Sequence, residues 1–434
     1  MLPVVKIAYI TAGAAGMYCG NCLRDHALAL AVRGLGEEMV LAPIYTPLRT
    51  DLPRGEETKN GPVFFNGVRV YLEQHLPYMR KPRPMLDRIL SSGAVDKLLG
   101  TVGARSKASR LGPLTHSMLK GEEGNQAKEI EELLGWLRDD LKPDIVHLSN
   151  VLLVGLARRL REELGIPVVC SLQSEDHFIE ELAEPYREDC IEEIRTRANE
   201  LDGMLAVSAF YREMVCAKYG IEENKVAVVL PGVPLDGHSA EKPGPRNGDL
   251  TIGYLARLGP EKGLNLLCDA FSSLAAAGNE TLRLSAAGYF PGSSAPWLKE
   301  IARRLQGAGV RERTEFLGTL DRAEKLSFLS KLDIFSVPAL RPETKGLYAM
   351  EAMASGVPFV LPEKGVFPEI FERSGGGLLY DPGRPDGLRE ALETLIDDDG
   401  LRGRLGREGR AAAVDYFNSE RMARETMDYY HSLA

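Results

Sequence analysis

Two glutamates eight positions apart, Glu343 and Glu351, bracket the stretch ETKGLYAMEAMASG, and between them Gly346 opens LYAMEAMA, a run of good helix formers. A glycine leading straight into a helix makes an anion cradle. The first backbone N–H groups of a helix are unpaired, and its macrodipole favours negative charge there. Helical side chains lean back toward the N-terminus, so Glu351, in the second turn, can reach toward whatever sits at that end. A phosphate on the helix with a carboxylate beside it suits a sugar nucleotide, which has charge to neutralise and diols to grip. Arg257 and Lys262 flank a turn in ARLGPEKGLN, just ahead of Gly263. Two cations on a strand–turn–helix can neutralise a diphosphate, with Arg binding bidentately and Lys acting as a mobile point charge. Two solvated surface charges are the plainer reading. Their presence in one domain with Glu343, Gly346 and Glu351 favours the ligand.

These residues need a scaffold of alternating strands and helices. The first half supplies it from Val4–Ile10, a buried-strand pattern, through the glycine turn TAGAAG and the helix LRDHALALAVRGLG to the strand MVLAPIY. EIEELLGWLRDDLKPDIVHLSN and GLARRLREELGIPVVCSLQ repeat helix, break and strand. The pattern restarts near Leu250 with TIGYLARL, GLNLLCDAFSSLAAAG and LRLSAAG, and runs on to GGLLYD and DGLREALETLIDD. Such alternation predicts two α/β domains with parallel, doubly wound sheets. The expected hinge is PLDGHSAEKPGPRNGD, residues 234–249, dense in Pro, Gly and charge. This places a first domain over 1–235, a second over 236–414 and a terminal helix over 415–434.

Composition narrows the partners. At 434 residues the chain exceeds one ordinary core, and 44% apolar with 26% charged residues is a globular composition. A net charge of −9 argues against nucleic acid as a partner. No run of 18 apolar residues predicts a membrane span, and the N-terminus shows no basic leader with a cleavage site. Six cysteines are too few for a disulfide scaffold, so a reducing cytoplasm is expected. Cys19 and Cys22 form C-x-x-C, but the other four cysteines are scattered singly. Loop packing or shaping of an acceptor site is favoured over metal or redox chemistry. Residues 78–120 hold nine Lys or Arg against Asp87 and Asp96, interleaved with Met85, Leu86 and Ile89. A solvated insertion is the bland reading. A patch touching an anionic membrane surface, here the inner face, or an anionic acceptor is the sharper one.

With these motifs in order, the second half resembles the donor-binding domain of the retaining glycosyltransferases of family 4, which have the GT-B fold. Arg257–Lys262–Gly263 matches that family's R-x-x-x-x-K-G. Glu343 through Glu351 to Gly356 matches its paired glutamates and E-A-M-A-x-G. LDGMLAVSAFYREM and VAVVLPGV are similar to the family's approach between domains. The resemblance implies two Rossmann-like domains facing across a cleft, with the terminal helix crossing back to the first. It implies Arg257 and Lys262 on the donor pyrophosphate, Glu351 on the ribose diol and Glu343 on the donor sugar. The N–H groups of Gly346 and Leu347 would meet the phosphates. Gly13 and Gly16 would face those phosphates from the first domain, although a tight turn is the simpler role for two glycines. One departure stands out: Thr344–Lys345 replaces the usual Gly-Phe.

On the acceptor side, His147 in PDIVHLSN matches a family position near the cleft, while a satisfied core histidine is equally consistent with its setting. Many family members carry a histidine after the next strand. Gln173 stands there instead, followed by Glu175, Asp176 and His177. Gln173 can hydrogen-bond a sugar hydroxyl but cannot act as a base, and Asp176 or His177 would orient the acceptor. The expected activity is retaining transfer of a sugar from a UDP-, GDP- or ADP-sugar to a hydroxyl acceptor, with no metal and no other cofactor. A sugar-nucleotide epimerase or phosphorylase on the same fold is an alternative. A non-catalytic sugar-nucleotide-binding protein is another.

Overall fold

The computed structural model describes residues 4–13, 20–45, 50–52, 111–239, 248–290 and 294–433. Gly16, Cys19, residues 78–110 of the basic segment and residues 240–247 of the expected hinge lie outside the described residues. The chain forms two compact units, Met1–Leu230 with Met422–Ala434, and Pro231–Arg421. The units divide at 230/231 and 421/422, so residues 415–421 of the expected terminal helix fall in the second unit.

The first unit holds β1 (Lys6–Thr11), β2 (Glu38–Pro43), β3 (Ile145–Leu148), β4 (Val168–Leu172), β5 (Gly203–Ala206) and β6 (Val226–Val228). They pair in the order β2-β1-β3-β4-β5-β6, every pairing parallel. Successive side chains of a strand point to opposite faces, and here both faces are covered. Ala8, Ile10, Val146 and Leu148 enter one apolar layer, while Ile7, Tyr9 and Ile145 enter the other. That double burial explains why the strands read as continuous apolar runs. The last helix, Ser419–His431, belongs to this unit from Met422 onward, and Met422, Ala423, Met427 and Tyr430 complete its second layer.

The second unit repeats the plan. Its strands are β7 (Leu250–Leu255), β8 (Leu282–Ala287), β9 (Thr314–Gly318), β10 (Ile334–Phe335), β11 (Phe359–Pro362) and β12 (Gly377–Tyr380). The order is β12-β11-β10-β7-β8-β9, again all parallel. In both sheets the first strand sits inside, and the chain leaves it in one direction and later returns on its other side. Such a sheet has a switch point, outside whose carboxyl edge ligands bind. It lies between β1 and β3 in the first unit and between β7 and β10 in the second. No helix among the described residues is long and apolar enough to cross a membrane.

Candidate functional site

Three loops follow the carboxyl ends of β11, β10 and β7, which are neighbours in the second sheet. After β7 the chain makes a single tight turn, Pro260–Lys262, and enters the helix Leu264–Ala276 through Gly263. Gly263 has φ +71°, and a Cβ there would stand 1.9 Å from the Pro338 carbonyl oxygen of the loop after β10. The two loops pack backbone to backbone, and the Leu340 N–H donates to the Glu261 carbonyl at 2.9 Å. The loop after β11 closes the third side. The Val366 N–H donates to the Glu343 carbonyl at 2.8 Å, and a Cβ on Gly365 would meet the Glu343 backbone nitrogen at 2.6 Å.

At this junction Lys262 and Glu343, 81 positions apart, form an ion pair. The Lys262 ammonium also lies 5.9 Å from the centre of the Tyr348 ring, within cation–π range. Tyr348 packs between Phe335 and Phe367, each ring centre 6.0 Å away. Burial pushes its hydroxyl well above the usual phenol range, and the Glu343 carboxylate adds to the shift. From the loop after β11, the Lys364 ammonium donates to the Leu340 carbonyl at 2.9 Å. Burial lowers the Lys364 pKa, with Glu343 opposing.

Gly346 takes a left-handed conformation, φ +65°, and caps the helix Leu347–Ala354. The helix cap therefore stands three positions after Glu343, the partner of Lys262. Thr344 and Lys345, the departure from the family motif, are both buried. Arg257 stands apart: its guanidinium meets Glu261 at 2.5 Å across one turn and is half exposed. The structure thus joins Lys262, Glu343 and the Gly346–Leu347 helix start, and leaves Arg257 on its own local partner.

Glu351 lies in the second turn of that helix and pairs with Lys325 of the helix Arg322–Ser330. Sequence reasoning missed Lys325. Close by, His238 sits buried with its Nδ1 2.8 Å from the Ser355 hydroxyl. Its pKa is pushed down to about 3 by burial, with the Arg322, Lys325 and Arg410 charges adding.

Residues 238–412 match the family described as glycosyl transferases group 1, and residues 111–236 match glycosyltransferase family 4. Together the two matches span over two thirds of the chain. The chain belongs to this glycosyltransferase family. It is 24% identical over 337 residues to an uncharacterized glycosyltransferase of Methanocaldococcus jannaschii, covering 74% of this chain and 83% of the relative. It is 26% identical over 319 residues to the glycogen synthase of Mycobacterium tuberculosis, covering 73% of each. Anabaena HepE, solved with UDP and glucose, superposes with a TM-score of 0.68 at 17% identity, over 99% of this chain and 100% of that one. The last likeness shows the GT-B fold.

In this glycosyltransferase the acceptor-side candidates lie deep in the first unit, at its own switch point. His147 is in β3, fully buried and stacked on Tyr9 of β1 with ring centres 4.5 Å apart. Its Nε2 is 2.7 Å from the Ser171 hydroxyl and its Nδ1 2.5 Å from the Tyr430 hydroxyl. Burial, with the Arg24 charge adding, holds its pKa well below the ordinary histidine value, so the ring is neutral. Gln173 is also fully buried, donating to Asp25 Oδ1 at 2.9 Å and to the Ser149 carbonyl at 2.7 Å. Asp176 is buried and accepts from the Tyr211 hydroxyl at 3.0 Å. These contacts make His147 and Gln173 members of an interior network.

The centre of that network is Arg24 and Asp25 on the helix Gly20–Gly34, neither exposed by more than 1%. Asp25 Oδ1 accepts from Tyr9 at 2.7 Å and from Arg24 at 3.1 Å. Burial raises the Asp25 pKa, while Arg24 and the hydrogen bonds from Tyr9 and Gln173 pull it back. Asp176, His177 and Glu180 offer ligand atoms within 4.8 Å of one another. Tyr211 donates to Asp176 and Lys218 pairs with Glu180 at 2.6 Å, so the acids already have hydrogen-bonding partners. Cys22 is buried within the second apolar layer.

Proposed function

We propose that this glycosyltransferase retains configuration and takes its sugar from a nucleotide diphosphate sugar, with a hydroxyl as acceptor. One observation carries the reading: Lys262 pairs with Glu343, three positions ahead of the Gly346 helix cap, where three loops converge on the switch point of the second sheet. A mobile cation and aligned N–H groups suit a diphosphate, and an adjoining carboxylate suits sugar hydroxyls.

In this reading Lys262 and the Gly346 and Leu347 N–H groups bind the diphosphate, Arg257 adds charge at the rim, and Glu351 takes the ribose diol. Glu343 has two tasks. It orients Lys262 and accepts from a hydroxyl of the donor sugar. Catalysis is electrostatic: charge grows on the leaving diphosphate as the glycosidic bond breaks, and fixed donors aimed at it lower the barrier. The leaving phosphate takes the acceptor proton, so no protein nucleophile and no metal ion is assigned a role. Gly16 lies outside the described residues, as does most of the basic segment considered for membrane contact.

The test is a thermal melt against UDP-, GDP- and ADP-sugars. A ligand that binds only the folded state at a hundred times its Kd stabilises by about 2.7 kcal/mol. One base class should raise the transition, and Glu351→Gln should weaken the shift. A panel in which no nucleotide sugar moves the melt overturns the reading.

A further inference from the structure

We propose that Lys325 is a positioning residue for nucleotide recognition: it holds one oxygen of Glu351 so that the other faces the ribose. The inference rests on the reading that Glu351 takes the ribose diol.

Lys325 is only 7% exposed, and it lies on the apolar stripe of its helix with Phe328 and Leu329. A lysine is almost never buried unless paired, because removing its charge from water is costly. Its ammonium pairs with Glu351 Oε1. Among the described residues that is the one side-chain partner Glu351 has, and its side chain remains 17% accessible. One carboxylate oxygen is therefore fixed and the other stays open to a ligand.

The helix that presents Lys325 is itself anchored. Asp321 and Glu324 form a reciprocal capping box, with both hydrogen bonds at 2.9 Å. Arg322 donates to the Asp236 carbonyl at 2.7 Å. His238, the neighbouring titratable group, is occupied by Ser355 and does not compete for the carboxylate. A carboxylate alone at the end of a flexible glutamate samples several rotamers. Locked by a buried cation it presents acceptor lone pairs in one direction, which is what recognition of a diol needs.

The same geometry predicts selectivity for ribose over 2′-deoxyribose. The probes are UDP, GDP and ADP and their 2′-deoxy counterparts, titrated calorimetrically into the full chain. The nucleotide that binds most tightly is carried forward. Lys325→Met should weaken it by about tenfold or more, the scale of one charge-assisted hydrogen bond. It should also shrink the preference for the ribonucleotide, while Lys325→Arg restores most of both. If Lys325→Met leaves affinity and preference unchanged while Glu351→Gln abolishes the preference, the proposal fails and the diol reading stands. If neither variant alters the preference, the diol reading fails and the proposal falls with it. Equal weakening toward ribo and deoxy ligands by Lys325→Met, with a lowered melt, would show a packing role and also overturn it.

Discussion

Lys262→Ala is expected to lower turnover by about 10²–10³-fold while leaving the melting temperature close to that of the parent. Lys262 sits at the loop surface, part exposed and paired with Glu343, so its removal leaves no deeply buried orphan charge. On the proposed reading it removes a cation beside the diphosphate, whose negative charge increases as the glycosidic bond breaks. The loss should therefore fall on kcat more than on KM. Lys262→Arg should recover only part, because a planar fork does not replace a compact point charge. Initial rates of donor consumption read the result. A Lys262→Ala variant within a few-fold of the parent would remove Lys262 from the chemistry.

The largest stability effect is expected far from Lys262. Asp25→Ala should destabilise the first unit by about 3–5 kcal/mol, the cost of breaking a buried ion pair by removing one partner. Asp25 Oδ1 collects hydrogen bonds from Tyr9, Arg24 and Gln173, so its loss takes an acceptor from three interior donors and the counter-charge from the buried Arg24 guanidinium. Replacing both partners together, Arg24→Met with Asp25→Leu, should cost much less, because no unpaired charge remains. Urea midpoints of the single and double variants make the comparison. A single variant with an unchanged midpoint would show that the network does not support the fold.

Much of the candidate site is legible in the sequence because its parts are local. Gly346 announces a helix start, Glu351 follows in its second turn, and Lys262–Gly263 closes a strand–turn–helix. The meeting of Lys262 with Glu343 depends on β7 and β10 being neighbours, and strand order is not written in any one segment. Arg257 is placed on the diphosphate by its charge and by the family motif. Spacing put Glu261 one turn away, and that local pair formed.

Lys325 did leave a signal. In AEKLSFLSKL it falls in phase with Phe328, Leu329 and Leu332, a cation on a stripe meant for the core. Arg24–Asp25 in LRDHALAL is the same kind of mark, a charged pair inside an apolar helix. The role of Tyr430 was beyond reach, since it meets His147 across 283 positions of sequence. His147 was weighed between site and core. Its contacts with Tyr9, Ser171 and Tyr430 are those of a satisfied interior histidine.

Transfer with retention from a nucleotide sugar is tested by proton NMR of the first sugar formed. An α-linked donor is incubated with the enzyme, with water as acceptor when no other is supplied, and the anomeric signals are followed before mutarotation sets in. The α anomer should appear first, and the β anomer should grow in only later. A β anomer formed first, or no donor consumed from any of the UDP-, GDP- and ADP-sugars, would contradict it.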